Sequence, residues 1–331
     1  MRILGRTPPF RAQNGAILSG SIAEVGFHRL GGIDQWVLIR GESTANPLLI
    51  WLHGGPGFSD AGFFRRFNSP LEKHYVVVSW DQRGTRRSYD PGIPVSSMTV
   101  AQFIADLDEL INQVCHRFGK GKVAIFGHSW GTALGVLYAS RFPERVSAYV
   151  GSGQIGDWPA AEAAVYEYAL TQAKRCNHGK ALKELLAIGP PPHTPSNLSL
   201  ERMWIRRLDG GMGLGMLWEM ARIFCGRPES SILDLSNLVR GFRFSLESMW
   251  PNVSQLNLLR AAPELNVPVF FLLGRNDHWV PPEFSVAYFN ELVAPTKKLL
   301  WFENSAHEPF ADEPGKFNHA MLDLVRPVAA T

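Results

Sequence analysis

A serine, an aspartate and a histidine in this chain have the types and order needed for acyl-transfer chemistry. Ser129 stands in Gly127-His128-Ser129-Trp130-Gly131, after the apolar run 122–126 and before the helix-forming stretch 132–140. Strand, sharp turn and helix, with a serine at the turn, is the context that gives a Gly-x-Ser-x-Gly match its meaning. The glycines have a steric purpose, because side chains two residues either side of a strained serine would strike the strand or the helix. The turn should push Ser129 Oγ out above a sheet and aim the Trp130 amide at any oxygen bound there.

A serine hydroxyl attacks only when a base takes its proton, and the base needs an orienting acid. Asp277 closes Gly274-Arg275-Asn276-Asp277 after the apolar run 269–273, and His307 follows the run 299–302 in Asn304-Ser305-Ala306-His307. Both are expected on loops at strand carboxyl ends, where α/β sheets keep their functional groups. His53, His128 and His278 also lie near motif positions. However, His128 should point away from the serine across the turn, and His278 precedes the last strand. Asp277 could instead be a turn residue, with Glu303 as the alternative acid. A second backbone donor beside Trp130 is expected in His53-Gly54-Gly55-Pro56-Gly57, directly after the run 48–52. Glycines there let the main chain approach a substrate oxygen; Gly55 is the first choice and Gly54 the second.

The elements that must position these groups show in the hydrophobic pattern. Alternation at 20–28 and 34–40, with Gly31-Gly32 between, predicts an antiparallel pair. Fully apolar runs at 48–52, 75–80, 123–126, 148–151, 269–273 and 299–302 suit strands buried on both faces of a parallel sheet. Helical periodicity separates several of them. From Val100 to Phe118 it puts Phe103, Ile104, Leu107, Leu110, Ile111 and Val114 on one face,. Strands alternating with helices predict an α/β layer fold. The alternation breaks between 154 and 257, a helix-rich, aromatic stretch interrupted at 189–192 and by the glycine-rich, flexible run 209–215. The expected division is a core of 1–153 and 258–331, with a helical cap of 154–257 inserted between strands and covering the serine.

Composition narrows the partners. The 331 residues carry a net charge of +3 and no basic block. Arg65-Arg66, Arg86-Arg87 and Arg206-Arg207 are pairs that read as a solvated face, so no nucleic-acid partner is expected. The most apolar windows, 47–52 and 267–273, fall far short of the ~20 residues of a membrane span, so no membrane is expected. The first residues hold no apolar h-region of a signal peptide. Cys115, Cys176 and Cys225 are odd in number and in no metal-like pairing, and read as ordinary buried thiols of a reducing compartment. The expectation is a cytoplasmic protein with no metal and no cofactor.

His53-Gly54-Gly55-Pro56-Gly57, Trp80-Asp81-Gln82-Arg83-Gly84 and Gly127-His128-Ser129-Trp130-Gly131 together resemble the proline iminopeptidase family of α/β-hydrolase serine peptidases. The tryptophan after the serine and the Asp-Gln-Arg-Gly loop are more specific than Gly-x-Ser-x-Gly. The resemblance covers about two-thirds of the chain, up to Gly151 and again from Val267. It implies an α/β-hydrolase fold, with a mostly parallel eight-stranded sheet flanked by helices and an inserted helical lid, and a triad of Ser129, Asp277 and His307. It departs at Gly84-Thr85-Arg86-Arg87-Ser88, where the family usually has glycine in place of Arg86. In the family, acidic lid residues hold the substrate's N-terminal ammonium. The nearest counterparts here are Glu219, in a matching Trp-Glu pair, and Glu247, in poorer surroundings.

These features imply an enzyme that releases N-terminal proline or a similar residue from short peptides through an acyl-enzyme. A carboxylesterase using the same triad on small esters is the alternative. The lid's Met203, Trp204, Met212, Met216, Trp218, Met220 and Phe224 would suit an apolar ester pocket, or simply the lid's own core. A non-enzymatic ligand receptor is disfavoured because all three triad candidates are present. An aspartate-nucleophile hydrolase is disfavoured by the serine at 129, and a metal hydrolase by the lack of ligand spacing.

Overall fold

The computed structural model describes residues 5–209, 222–223, 228–229 and 234–330. Its centre is one eight-stranded sheet in the order β1-β2-β4-β3-β5-β6-β7-β8. Strands β1 (Ile22–Leu30) and β2 (Ile33–Gly41) form an antiparallel hairpin. Gly31 and Gly32, at φ of 50° and 77°, make the two-residue turn that such a hairpin requires,.

Strands β3 (Leu48–Leu52), β4 (Val76–Trp80), β5 (Val123–His128), β6 (Val146–Ser152), β7 (Val269–Gly274) and β8 (Lys297–Phe302) are parallel to one another. The predicted runs are therefore the six strands, extended by one to two residues at some ends and shortened by one at the start of β4.

Side-chain alternation divides the strand residues between two cores. Leu48, Ile50, Leu52, Val123 and Ile125 face the side covered by α1 (Val100–Phe118), while Leu49, Trp51, Ala124 and Phe126 face the other. All six residues expected on the α1 face are buried. The helix begins where Thr99 Oγ1 accepts from the Gln102 amide at 3.2 Å and ends at Gly119 with φ 62°, as its caps prescribe.

The position of the site follows from the strand order. The chain runs from β3 to β4 on one side and then crosses to β5 on the other, so β3 and β5 are neighbours at a switch point. There Leu52 pairs with Gly127, and the loops leaving the two strands diverge to form a crevice. The glycine-rich loop and the serine turn therefore meet because of topology.

After β6 the chain enters α3 (Trp158–Arg175), α4 (Gly179–Ile188), α5 (Pro195–Leu208) and α6 (Asp234–Val253) before returning to β7. Departure and return are joined by an isolated bridge between Asp157 and Asn257, with Asn257 Nδ2 donating to Asp157 Oδ2 at 2.7 Å. Helices α3 to α5 share a small core of their own, including Val165, Leu185, Trp204 and Ile205. Met249, Trp250 and Val253 of α6 pack instead on the sheet's core. Among the described residues no helix is long and apolar enough to cross a membrane.

Two sequence expectations need correction. The arginine pairs are only partly a solvated face: Arg66, Arg206 and Arg207 are exposed as expected, but Arg65, Arg86 and Arg87 are buried. Arg65 joins Glu72 and Glu229, at 2.6 and 2.9 Å, while Arg87 Nη2 and Arg86 Nη2 reach Asp234 Oδ2 at 2.7 and 3.3 Å. Asp234 opens α6, so these arginines fasten the inserted helices to the sheet. Arg86 itself has φ 42°, in the left-handed region that favours glycine. The family's glycine at this position thus has a steric reason, and here ion pairing offsets the strain.

The second correction concerns cysteine: Cys115 is buried but Cys176, at the end of α3, is exposed. Cys225 lies outside the described residues.

Removing one partner of a buried ion pair is strongly unfavourable because the remaining charge stays desolvated. Asp234→Ala should therefore cost about 3–5 kcal/mol of stability, read from urea unfolding. A loss below about 1 kcal/mol, the range of an exposed pair, would contradict the anchoring role.

Candidate active site

Ser129 adopts φ 52° and ψ −120° at the end of β5, a conformation uncommon outside glycine and found at functional turns. Its flanking glycines are needed for the stated reason. A Cβ on Gly127 would lie 2.5 Å from the Gly131 carbonyl oxygen, and one on Gly131 would lie 2.3 Å from that of Leu52. The Ser129 amide donates to the Ser152 carbonyl at 2.9 Å, tying the turn to β6. Helix α2 (Trp130–Arg141) starts at once. The Trp130 amide, first in that helix, has no carbonyl partner within it, and the helix dipole favours negative charge at this end.

The glycine-rich loop leans directly on the serine: a Cβ on Gly54 would sit 3.1 Å from Ser129 Cβ. Gly55 turns at φ 113°, where a Cβ would strike the Gly57 nitrogen at 2.4 Å. Behind this loop lies a brace that the motif reading missed. The Gln82 amide donates to His53 Nε2 at 3.1 Å, so His53 carries its proton on Nδ1 and donates it to the Gly54 carbonyl at 2.8 Å. Burial lowers the His53 pKa, holding the ring in that neutral form. The Gln82 side chain bonds the His53 carbonyl at 3.2 Å through Nε2 and receives Trp130 Nε1 at 2.9 Å through Oε1. One glutamine therefore fixes the glycine loop relative to the residue after the serine, the two segments expected to hold an oxyanion. The signal was in the Asp-Gln-Arg-Gly segment, which the sequence offered only as a likeness.

Asp277 and His307 meet as expected. His307 Nδ1 donates to Asp277 Oδ2 at 2.8 Å, and the other carboxylate oxygen accepts from the amides of Trp279 and Val280, both at 2.9 Å. Burial alone would raise the Asp277 pKa, but the His307 charge, its hydrogen bond and the two amides outweigh it and hold the carboxylate below its ordinary range. For His307, burial disfavours the cation, yet the Asp277 charge and hydrogen bond prevail and push the pKa up to about 9.

His307 lies on the loop that follows β8, and that loop must reach back toward β5 over the ends of β7 and β6. Gly274 and Gly153 make room. A Cβ on Gly274 would lie 1.8 Å from the Ala306 oxygen, and one on Gly153 2.8 Å from His307 Cε1. His128 stands beside His307. Its ring packs on that of His307 at 4.8 Å, its Nδ1 meets Asp60 Oδ2 at 3.2 Å, and its Nε2 meets the His307 carbonyl at 3.2 Å.

The alternatives fall elsewhere. Glu303 is exposed and bound by Arg275 at 2.8 Å, and His278 pairs with Asp209 at 3.1 Å while stacking on Tyr168. Glu247 is exposed and paired with Arg243 one helical turn away at 2.7 Å. It is a solvated helix-face residue. Glu219 and the run 210–215 lie outside the described residues, as do Met212, Met216, Trp218, Met220 and Phe224. Trp204 is buried in the core of α3 to α5, which is the plainer of its two expected uses.

Comparison with known proteins agrees with this geometry. Residues 47–176 match the family described as the alpha/beta hydrolase fold. The chain is 32% identical over 301 residues to the probable aminopeptidase YbaC of Bacillus subtilis (strain 168), covering 88% of this chain and 93% of that one. A shorter match, 36% identical over 115 residues, is to a proline iminopeptidase of Neisseria gonorrhoeae, covering 34% of this chain and 35% of that one. Among solved structures, a proline iminopeptidase-related protein from Thermus thermophilus superposes with a TM-score of 0.62 at 20% identity, over 94% of this chain and all of that one (100%). The chain belongs to the α/β-hydrolase family, on the branch that holds YbaC and the proline iminopeptidases.

Proposed function

We propose that this protein is a serine aminopeptidase that releases an N-terminal residue, proline or one like it, from short peptides. The observation that carries the reading is the buried 2.8 Å contact between His307 and Asp277, together with a serine held at positive φ at the end of β5. In this mechanism Ser129 Oγ attacks the substrate carbonyl while His307 Nε2 takes its proton and later gives it to the leaving amine. Asp277 holds the tautomer and stabilises the imidazolium that forms. The amides of Gly55 and Trp130 receive the oxyanion, each worth about 3–4 kcal/mol in the transition state. Water then attacks the acyl-enzyme, with the same histidine as base. The helices of 154–257 act as the cap over this reaction.

One observation favours the second reading, a carboxylesterase. Glu247 is engaged by Arg243 in solvent, leaving Glu219 as the remaining ammonium ligand expected from the family. A direct assay separates the two: hydrolysis of a prolyl-arylamide against a short-chain aryl ester, with Glu219→Gln alongside. Fast arylamide cleavage that collapses in the variant supports the aminopeptidase. Ester turnover alone, indifferent to Glu219, makes the protein a carboxylesterase.

A further inference from the structure

The candidate base must be brought to the serine from three strands away. Ser129 directly follows β5 and His307 lies beyond β8, in the strand order β5-β6-β7-β8. At the usual spacing of about 4.8 Å between neighbouring strands, those two strand ends lie roughly 14 Å apart. The Asp277 bond fixes the His307 ring to the loop after β7, which is still two strands from the serine. That bond alone sets the imidazole against β7, not against the nucleophile.

His128, the last residue of β5, makes the missing tie. Its Nε2 donates to the His307 carbonyl at 3.2 Å. Its ring packs on that of His307 at 4.8 Å and edge-on to Phe310 at 4.9 Å. Among the described residues, the other hydrogen bonds at 303–307 run to the loop after β7 or stay within 302–313. Within that set, His128 is the hydrogen-bonded link from the base's loop to the strand that carries the serine, and it is the serine's neighbour in sequence.

The ring is held from its other side as well. Its Nδ1 meets Asp60 Oδ2 at 3.2 Å, on the segment that continues from the glycine-rich loop, and both residues are buried. A backbone carbonyl only accepts, so a proton points from Nε2 to His307. A carboxylate also only accepts, so the contact at Nδ1 needs a second proton, on His128 or on Asp60. With that proton shared, both ring nitrogens are satisfied. A half-turn of the ring would put carbon against both oxygens, so the pair of partners fixes one orientation.

We propose that His128, oriented by Asp60, is a positioning residue that sets the base at its working distance from the nucleophile by holding the His307 main chain against β5. It acts through His307 and takes no proton from the substrate. This rests on the reading of Ser129 as nucleophile and His307 as base. A misplacement of about 1 Å between such groups costs on the order of 100-fold in rate, so the tie bears on turnover rather than on binding.

The test is steady-state kinetics on proline p-nitroanilide and p-nitrophenyl acetate for the wild type, His128→Phe and Asp60→Asn. His128→Phe keeps a ring beside His307 and Phe310 but has no donor. On whichever substrate the wild type turns over, its kcat should fall by about ten- to 100-fold. Its KM should stay within about twofold of wild type, the pattern of an interaction felt only in the transition state. The amide of Asp60→Asn can donate to Nδ1 and leave the Nε2 proton on the His307 carbonyl, so this conservative variant should lose far less. Should His128→Phe fail to fold, His128→Ala removes the donor without crowding and is read in the same way. A folded His128 variant whose kcat stays within about twofold of wild type, or whose defect lies only in KM or in melting temperature, overturns the proposal. So does a kcat loss in Asp60→Asn as large as that in His128→Phe. A wild type inert toward both substrates and unlabelled by a fluorophosphonate overturns the hydrolase reading, and the positioning role with it.

Discussion

Ser129→Ala should lower kcat by about 10⁵–10⁶-fold while leaving the melting temperature where it is, the scale seen when a triad nucleophile is removed. The variant removes only Oγ. Alanine keeps the Cβ, so the backbone at φ 52° bears the same strain as before, and the amide bond to Ser152 does not involve the side chain. Ser129 Oγ caps no helix amide in the structure, so no structural hydrogen bond of that kind is lost. Covalent labelling by a fluorophosphonate should vanish in parallel with turnover. A variant that keeps more than about a hundredth of wild-type kcat, far above the residual rate of a disabled triad, would show that Ser129 is not the nucleophile.

Asp277→Asn should cost about 10⁴-fold in kcat, and it should change the pH profile in a way that a loss of packing would not. In the wild type His307 can act as base only after losing its proton, and its neighbour Asp277 holds that proton up to about pH 9. The kcat/KM should therefore climb with pH through an acid limb well above the ordinary histidine value of about 6.5. The amide removes the charge that outweighs burial, so the limb should move to lower pH as the rate falls. The asparagine can also present an N–H where the carboxylate accepted one, favouring the wrong tautomer. Kinetics across pH 5–10 on an uncharged ester check this without a titrating substrate amine. A limb near 6.5 in the wild type, or one that stays put in the variant, would break the assignment of the acid to Asp277.

Much of this protein was legible because it is written locally. A hairpin turn needs two residues at positive φ, and adjacent glycines at 31 and 32 announce it. Strands buried on both faces need unbroken apolar runs, and six such runs became six parallel strands. The serine turn needs glycines two positions either side, because a Cβ on Gly131 would strike the Leu52 carbonyl and one on Gly127 that of Gly131. Asp277 and His307 could be chosen because each follows a strand directly, and in a parallel sheet the carboxyl ends gather at one edge.

Only the tertiary structure decided what became of the charged residues outside those motifs. Nothing local distinguishes Glu247, solvated beside Arg243, from Glu162, buried among the inserted helices against Arg202; both are acids on amphipathic helices. Arg65 and Arg87 look like surface arginines until Glu229 and Asp234, 164 and 147 residues later in the chain, are brought against them. Gln82 has meaning only once His53 and Trp130 stand on either side of it. Hydrophobic periodicity and steric limits act between neighbours in sequence, so the residue string itself determined the strands, the turns and the serine elbow. The burial of a charge depends on partners supplied by distant segments, so the fold alone decided which carboxylates and arginines hold the structure together.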